Sequence, residues 1–275
     1  MPETMDVPTP STATTGAVIA MPQQRLLGGM AITPCSLDCA ASLVASWAGA
    51  GEHRFVVTPN VDHYVRWRKD PEFRCVYEHA DLAVLDGAPL VALTRRLNAG
   101  CAVERVTGVD LFDELCHRAP GSYAISIVGG ADGVALDAAH QLQRRISGIE
   151  MGLVTSPTPD QLHDPDYLTS LGERLRAVGS QVVALCLGSP KQEFFYRDLA
   201  DRCGTDLPGV FMGVGAAVDF IAGRVDRAPH WVRAAGIEWA YRLLREPGRL
   251  WHRYLVEDVA FLGYAAQILR AERAR

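Results

Sequence analysis

Short apolar runs alternate along the chain with longer segments of helical character. Six such runs end in small or polar residues, and they span positions 54–57, 82–85, 123–128, 149–154, 182–187 and 209–212. Apolar strands that alternate with helices indicate a parallel sheet covered on both faces. The pattern therefore predicts an α/β fold, a Rossmann-like parallel sheet with helices on both faces.

Three regions differ in composition and predict the organisation of the chain. Residues 1–30 are rich in Pro, Thr, Ser, Ala and Gly, which is typical of a flexible leader. The strand–helix alternation fills residues 31–225, and these form the expected catalytic α/β domain. Residues 226–275 are expected to form a C-terminal helical appendage that is basic and aromatic.

The appendage differs in charge from the rest of the chain. Between Arg227 and Leu255 there are six arginines and two glutamates, a local charge of +4 in a chain of net charge −5. Arginine and tryptophan suit an anionic membrane interface. We expect the appendage to dock on the membrane and to complete the active site. A pair of amphipathic helices packed on the body, or a homo-oligomer contact, is the alternative.

Composition excludes several classes of protein. A chain that is 48% hydrophobic and 21% charged is typical of a globular domain, and its acidic balance argues against nucleic-acid binding. The seven cysteines form no C-x-x-C pair, so neither a disulfide framework nor a zinc site is expected. There is no signal-peptide pattern and no apolar run of ~20 residues. We therefore expect a cytoplasmic protein, peripherally associated with the inner face of the membrane.

Polar and small residues follow the predicted strands. Ligands in such folds bind beyond the carboxyl ends of the strands, which predicts one crevice lined by Thr58, Asn60, Asp86, Gly129, Gly188 and Gln192. From the residues alone, Asp86 is explained equally well as a general base and as a helix cap. The segment "LGSPKQEFF" (187–195) offers free helix N–H groups and Gln192 as a cradle for an anion or sugar.

Other motifs are weaker. "VGGADG" (128–133) is not G-x-G-x-x-G, so a nicotinamide-dependent oxidoreductase is the lesser alternative, and a tight turn explains the glycines. The D-x-D at 164–166 lies in a Pro-rich loop and is typical of a solvated turn. The histidines show no ligand spacing, and we expect neither a metal nor a cofactor. A non-enzymatic membrane scaffold is a third hypothesis, which leaves Asp86 and the crevice without a role.

Six segments together resemble the WecG/TagA/CpsF family of bacterial glycosyltransferases, over roughly residues 31–260. They are "VTPNVDH", "LDGAPLV", "ERVTGVDL", "LGSPKQE", "GVGAAVDFIAG" and "RAPHWVRAAGIEWAYRLLREPGRLWHRYL". The resemblance implies inverting, metal-independent transfer of a sugar from a UDP-sugar to a polyprenyl-diphosphate-linked saccharide. Such enzymes serve wall teichoic acid, enterobacterial common antigen, capsule and exopolysaccharide synthesis. N-acetylmannosamine, its uronic acid and glucose remain open as the sugar.

The resemblance also implies residue roles. The catalytic Asp of the family corresponds to Asp86, its Thr-x-Asn pair to Thr58 and Asn60, and the Gln of its G-x-P-K-Q-E signature to Gln192. The tail arginines that reach the diphosphate correspond to Arg242 and Arg249. Further substrate contacts are expected within the matching segments at Arg105, Thr107, Asp110, Gly188, Lys191 and Arg227, and at Gly129 of the predicted crevice.

Overall fold

A computed structural model describes residues 20–98, 102–229, 231–232, 236–245 and 247–274, apart from the side chains at 205, 242, 249, 250, 253 and 254. The first element of the described residues is an antiparallel hairpin, β1 (Arg25–Leu27) and β2 (Met30–Ile32). A parallel sheet follows, made of β3 (Arg54–Val57), β4 (Leu82–Ala83), β5 (Ile125–Gly129), β6 (Met151–Thr155), β7 (Val182–Cys186) and β8 (Val210–Gly213).

The six strands lie in the order β4-β3-β8-β7-β5-β6, and all adjacent pairs are parallel. Phe55 of β3 pairs with Phe211 of β8, and Met212 of β8 pairs with Ala184 of β7. Each predicted strand is present within a few residues of its expected position, so the predicted fold class is confirmed. The last strand, β8, lies at the centre of the sheet, where strands from early and late parts of the chain meet.

Twelve α-helices lie within the described residues. They are α1 (Leu37–Gly49), α2 (Val61–Lys69), α3 (Pro71–Glu78), α4 (Ala88–Leu97), α5 (Gly108–Arg118), α6 (Val134–Arg145), α7 (Pro165–Ala177), α8 (Lys191–Cys203), α9 (Ala217–Ile221), α10 (Glu238–Arg245), α11 (Pro247–His252) and α12 (Ala260–Arg273). Side-chain caps begin many of them, because a short polar side chain satisfies a free N–H of the first turn. Ser36, Asn60, Asp70, Thr107 and Asp164 act in this way.

The sheet separates two hydrophobic cores, because successive side chains of a strand point to opposite faces. Val56, Ala184 and Met212 lie in one core with the buried sides of α1, α5, α6 and α9. Phe55 and Phe211 lie in the other, with α2, α3, α4, α7, α8 and Phe261 of α12. Helices therefore cover both faces, as the apolar runs predicted.

The hairpin β1–β2 and the last helix, α12, both pack on the second core. Phe261 of α12 is 6% exposed and packs edge-on against Tyr64, with ring centroids 5.7 Å apart. The side chains of Tyr64 and Ile268 also close on Gly28 in the turn of the hairpin. The hairpin begins at Arg25, inside the segment 1–30 that was expected to be a leader, and Leu27 is fully buried. Residues 1–19 lie outside the described residues.

Candidate active site

A cavity of about 620 Å³ lies beyond the carboxyl ends of β3, β4, β7 and β8. The appendage supplies part of its wall, from Gly236, Glu238, Trp239, Asp258, Val259, Phe261 and Leu262. The structure brings most of the predicted site residues together here. Those that line the cavity are Thr58, Asn60, Asp86, Arg105, Thr107, Gly188, Gln192 and Arg227.

Asp110 lies directly behind this wall. Its carboxylate pairs with Arg227 at 2.6 Å and accepts a hydrogen bond from the Thr107 hydroxyl at 2.7 Å. Thr107 in turn caps α5 by accepting from the Asp110 N–H at 3.0 Å. Asp110 therefore orients two side chains of the cavity wall.

Besides Asp110, the predicted residues Gly129 and Lys191 do not line the cavity. Gly129 ends β5 with φ +119°, and a Cβ at this position would lie 2.6 Å from the carbonyl carbon and oxygen of Cys186. The glycine is thus required by the close approach of two backbones. Lys191 is the exposed first residue of α8. Arg242 and Arg249 belong to α10 and α11, but their side chains lie outside the described residues.

Asp86 lies where the loops after β3 and β4 touch. Its N–H donates to the Pro59 carbonyl at 3.0 Å, and a Cβ on Gly87 would lie 3.3 Å from Asn60 Cα. Asn60 caps α2 by accepting from the His63 N–H at 3.2 Å. Gly87, and not Asp86, occupies the N-cap position of α4. Asp86 is therefore a half-buried residue that lines the cavity together with Asn60, and it is not the N-cap residue.

Gln192 fixes the loop after β8. It is 3% exposed, its Oε1 accepts from the Gly215 N–H at 3.0 Å, and its Nε2 donates to Glu193 Oε1 at 3.1 Å. A Cβ on Gly213 would lie 2.7 Å from Gln192 Nε2, so this position must be a glycine for the amide to reach the loop. Gln192 thus joins the first turn of α8 to the loop after β8 while it lines the cavity.

A buried polar layer beneath the cavity was not predicted from the sequence. His63 lines the cavity, and its Nδ1 lies 2.8 Å from the hydroxyl of the buried Tyr77. Burial raises the pKa of Tyr77 well above its usual value, and the nearby carboxylates of Glu193, Asp62 and Asp86 raise it further. The Tyr77 hydroxyl therefore stays protonated. His63 could have been selected from the sequence, because it lies one helical turn after the predicted site residue Asn60.

The arginines of the cavity wall are paired. Arg105 Nη1 donates to Glu238 Oε2 at 3.4 Å, with side chains 20% and 16% exposed. Arg227 pairs with Asp110 at 2.6 Å, with both side chains 26% exposed. Glu238 is a further cavity residue that sequence reasoning did not select, because its partner lies 133 positions away in the chain.

The D-x-D motif lies outside the cavity wall. Asp164 caps α7 by accepting from the Asp166 N–H at 3.0 Å, and Asp166 lies in the first turn of that helix, so the motif begins a helix and is not the expected turn. Among the residues that the structure describes, no group of three or more His, Cys, Asp or Glu side chains is arranged to hold a metal ion.

The sequence was compared with models of known protein families. It matches the model of the glycosyl transferase WecG/TagA/CpsF family over residues 25–275. The match includes the hairpin, the whole parallel sheet, every segment that lines the cavity and the appendage.

Proposed function

The chain belongs to the WecG/TagA/CpsF family of glycosyltransferases, and on that premise we propose a specific reaction for it. The protein moves a sugar of the N-acetylmannosamine type, its uronic acid or glucose from a UDP-sugar to a polyprenyl-diphosphate-linked saccharide. The transfer inverts the anomeric centre, needs no metal, and serves the synthesis of a cell-surface polysaccharide, as the family implies.

The position of Asp86 carries this proposal. Asp86 lines a cavity of about 620 Å³ that Asn60 and Gln192 also line. A cavity of this size is within the range of small-molecule sites, and the carboxyl ends of a parallel sheet are where such folds bind ligands. A carboxylate at that place is positioned to accept a proton from a bound hydroxyl group.

The reaction is a single in-line displacement. The acceptor hydroxyl oxygen forms the new bond to the anomeric carbon, and Asp86 accepts its proton. The bond from that carbon to the donor phosphate oxygen breaks, and UDP leaves with the electron pair. Arg105 and Arg227 line the cavity and provide cationic groups that match phosphate geometry. We assign the same role to Arg242 and Arg249 of the appendage.

The rim of the cavity supports a lipid-linked acceptor. Trp239, Val259 and Leu262 line the cavity and are nevertheless 47%, 49% and 69% exposed. Further exposed apolar side chains of the appendage are Trp231, Leu244, Trp251, Leu255 and Val256. Apolar and aromatic side chains beside arginines suit the interface of an anionic membrane. No helix among the described residues is long and apolar enough to cross a membrane, so we propose peripheral docking.

Replacing Asp86 by Asn tests the proposal. The amide keeps the size of the side chain but accepts no proton at neutral pH, so turnover should fall by about 10²- to 10⁴-fold. UDP-sugar binding should persist. The measurement is UDP release from a panel of UDP-sugars, with and without a polyprenyl-diphosphate acceptor analogue, beside direct binding of the donor.

Asp164→Asn is the matched control. Asp164 caps α7 away from the cavity, and Asn caps a helix as well as Asp does, so this variant should retain turnover. Near-wild-type turnover of a folded Asp86→Asn variant would remove the general base from the proposal. An absence of UDP release with every donor and acceptor would reject the substrate classes.

A further inference from the structure

The ion pair between Arg105 and Glu238 joins the body to the appendage inside the cavity. Arg105 lies on a segment that runs beside the end of β4, where the Val106 N–H donates to the Leu85 carbonyl at 2.8 Å. Glu238 is the first residue of α10. Both side chains line the cavity and both are mostly buried. The Glu238 carboxylate, which belongs to the appendage, therefore pairs with Arg105, a cationic group of the candidate donor site.

The two arginines that line the described part of the cavity differ in how firmly they are held. Arg227 pairs with Asp110 at 2.6 Å, and its Nη2 also approaches the Thr107 hydroxyl at 3.4 Å. Arg105 pairs with Glu238 at the longer distance of 3.4 Å. Exchange of carboxylate for phosphate should therefore be easier at Arg105.

The Glu238 carboxylate opposes the binding of an anion beside Arg105. Both side chains line the cavity, and a nucleoside diphosphate would add further negative charge there. Two carboxylates or phosphates that share a poorly hydrated site repel each other, so a neighbouring carboxylate lowers the affinity for an anion.

We propose that Glu238 is a positioning residue that holds Arg105 while no diphosphate is bound and yields Arg105 to the diphosphate when the donor binds. The proposal rests on the proposed function, in which Arg105 contacts the donor diphosphate. While no diphosphate is bound, the Glu238 carboxylate takes the place of the phosphate and keeps the Arg105 guanidinium directed into the cavity. When UDP leaves, the carboxylate pairs with the guanidinium again. It thereby weakens UDP binding and makes the first turn of α10 sensitive to occupancy of the donor site.

The direction in which a substitution of Glu238 changes UDP affinity separates this role from a purely structural one. Glu238→Gln removes the competing charge and keeps the side-chain size, so the dissociation constant of UDP should fall by about two- to fivefold, the range expected for one partly screened ion pair. A residue that only orients Arg105 would give weaker binding when neutralised. A residue that only ties α10 to the body would change thermal stability and leave UDP binding unchanged.

The experiment is calorimetric titration of the full chain with UDP and, separately, with inorganic pyrophosphate. Glu257→Gln is the matched control, because Glu257 is also an appendage carboxylate, pairs with His252 at 3.3 Å, and does not line the cavity. It should leave both dissociation constants unchanged. In an Arg105→Ala background, Glu238→Gln should tighten binding less, because the competition for Arg105 is absent and coupled residues give non-additive effects. With a UDP-sugar and acceptor, Glu238→Gln should lower the donor KM and strengthen inhibition by UDP.

The outcomes separate this inference from the function beneath it. Unchanged or weaker binding of UDP and pyrophosphate by a folded Glu238→Gln variant overturns the inference, and wild-type sugar transfer would then leave the proposed function intact. Tighter pyrophosphate binding by the variant, without sugar transfer by the wild type, upholds the inference and rejects the reaction. Failure of both proteins to bind either anion overturns both.

Discussion

The attachment of α12 to the body gives a prediction whose size follows from one side chain. Phe261 is 6% exposed, belongs to the core beneath α2, and packs edge-on against the buried Tyr64. Truncating a buried Phe to Ala costs about 3–5 kcal/mol, from lost transfer free energy and the cavity that remains. Leu262, the next residue of the same helix, is 69% exposed, and its truncation should cost less than about 0.5 kcal/mol. Both residues line the active-site cavity, so loss of cavity wall is common to the two variants.

Hydrogen exchange measures this difference, because a terminal helix can detach without global unfolding. If α12 opens as a unit, Phe261→Ala should speed exchange of the amides in the last two turns of α12 by about 10²- to 10³-fold, at 1.4 kcal/mol per tenfold change. Leu262→Ala should leave exchange within about threefold of the wild type. Equal exchange rates in the two variants would refute the burial of Phe261 against Tyr64, and with it the docked position of the appendage.

Three further predictions concern metal, the tail arginines and pH. The rate of sugar transfer should be the same with and without excess EDTA. A loss of activity in EDTA that is reversed by Mg²⁺ or Mn²⁺ would contradict the metal-independent reaction. Arg242→Ala and Arg249→Ala should each spare flotation with anionic liposomes, since one surface cation contributes about 1 kcal/mol there. Each should nevertheless reduce turnover on a soluble acceptor, because a diphosphate contact that strengthens in the transition state acts on the chemical step. Burial lowers the pKa of His53 in the folded protein, so the unfolded chain binds its proton first as the pH falls. The free energy of unfolding should therefore decrease as the pH falls below about 6.5, and it should decrease less in His53→Gln. An equal or larger decrease in the variant would contradict the shift.

The strands and the residues at their ends were predictable because parallel strands buried on both faces are continuous apolar runs. Thr58, Asp86 and Gln192 each follow such a run or open the helix after it, and the structure places all three on one cavity wall. Gly129 follows a strand in the same way but serves backbone packing against Cys186. A glycine that leaves room for a ligand and a glycine that leaves room for a neighbouring backbone cannot be distinguished by local sequence.

Contacts between distant segments had no local signal. Nothing near Arg105 indicates that Glu238 faces it, because the pairing depends on how the appendage returns to the body. The docking of α12 did have a signal that the sequence analysis left unused. Phe261, Tyr264, Ala265 and Ile268 follow the i, i+3, i+4, i+7 spacing of a helix with one apolar side, and all four pack against the second core.

Under the proposed function, the appendage joins membrane docking to the candidate active site through shared side chains. Trp239, Val259 and Leu262 are exposed apolar residues and cavity residues at once. Leu244 and Leu255 are 83% and 57% exposed and do not line the cavity. Under the proposed function, the first group contacts the lipid-linked acceptor where it enters, and the second contributes to membrane affinity alone. On this proposal, a bilayer that binds the second group would also present its lipid diphosphates at the rim formed by the first.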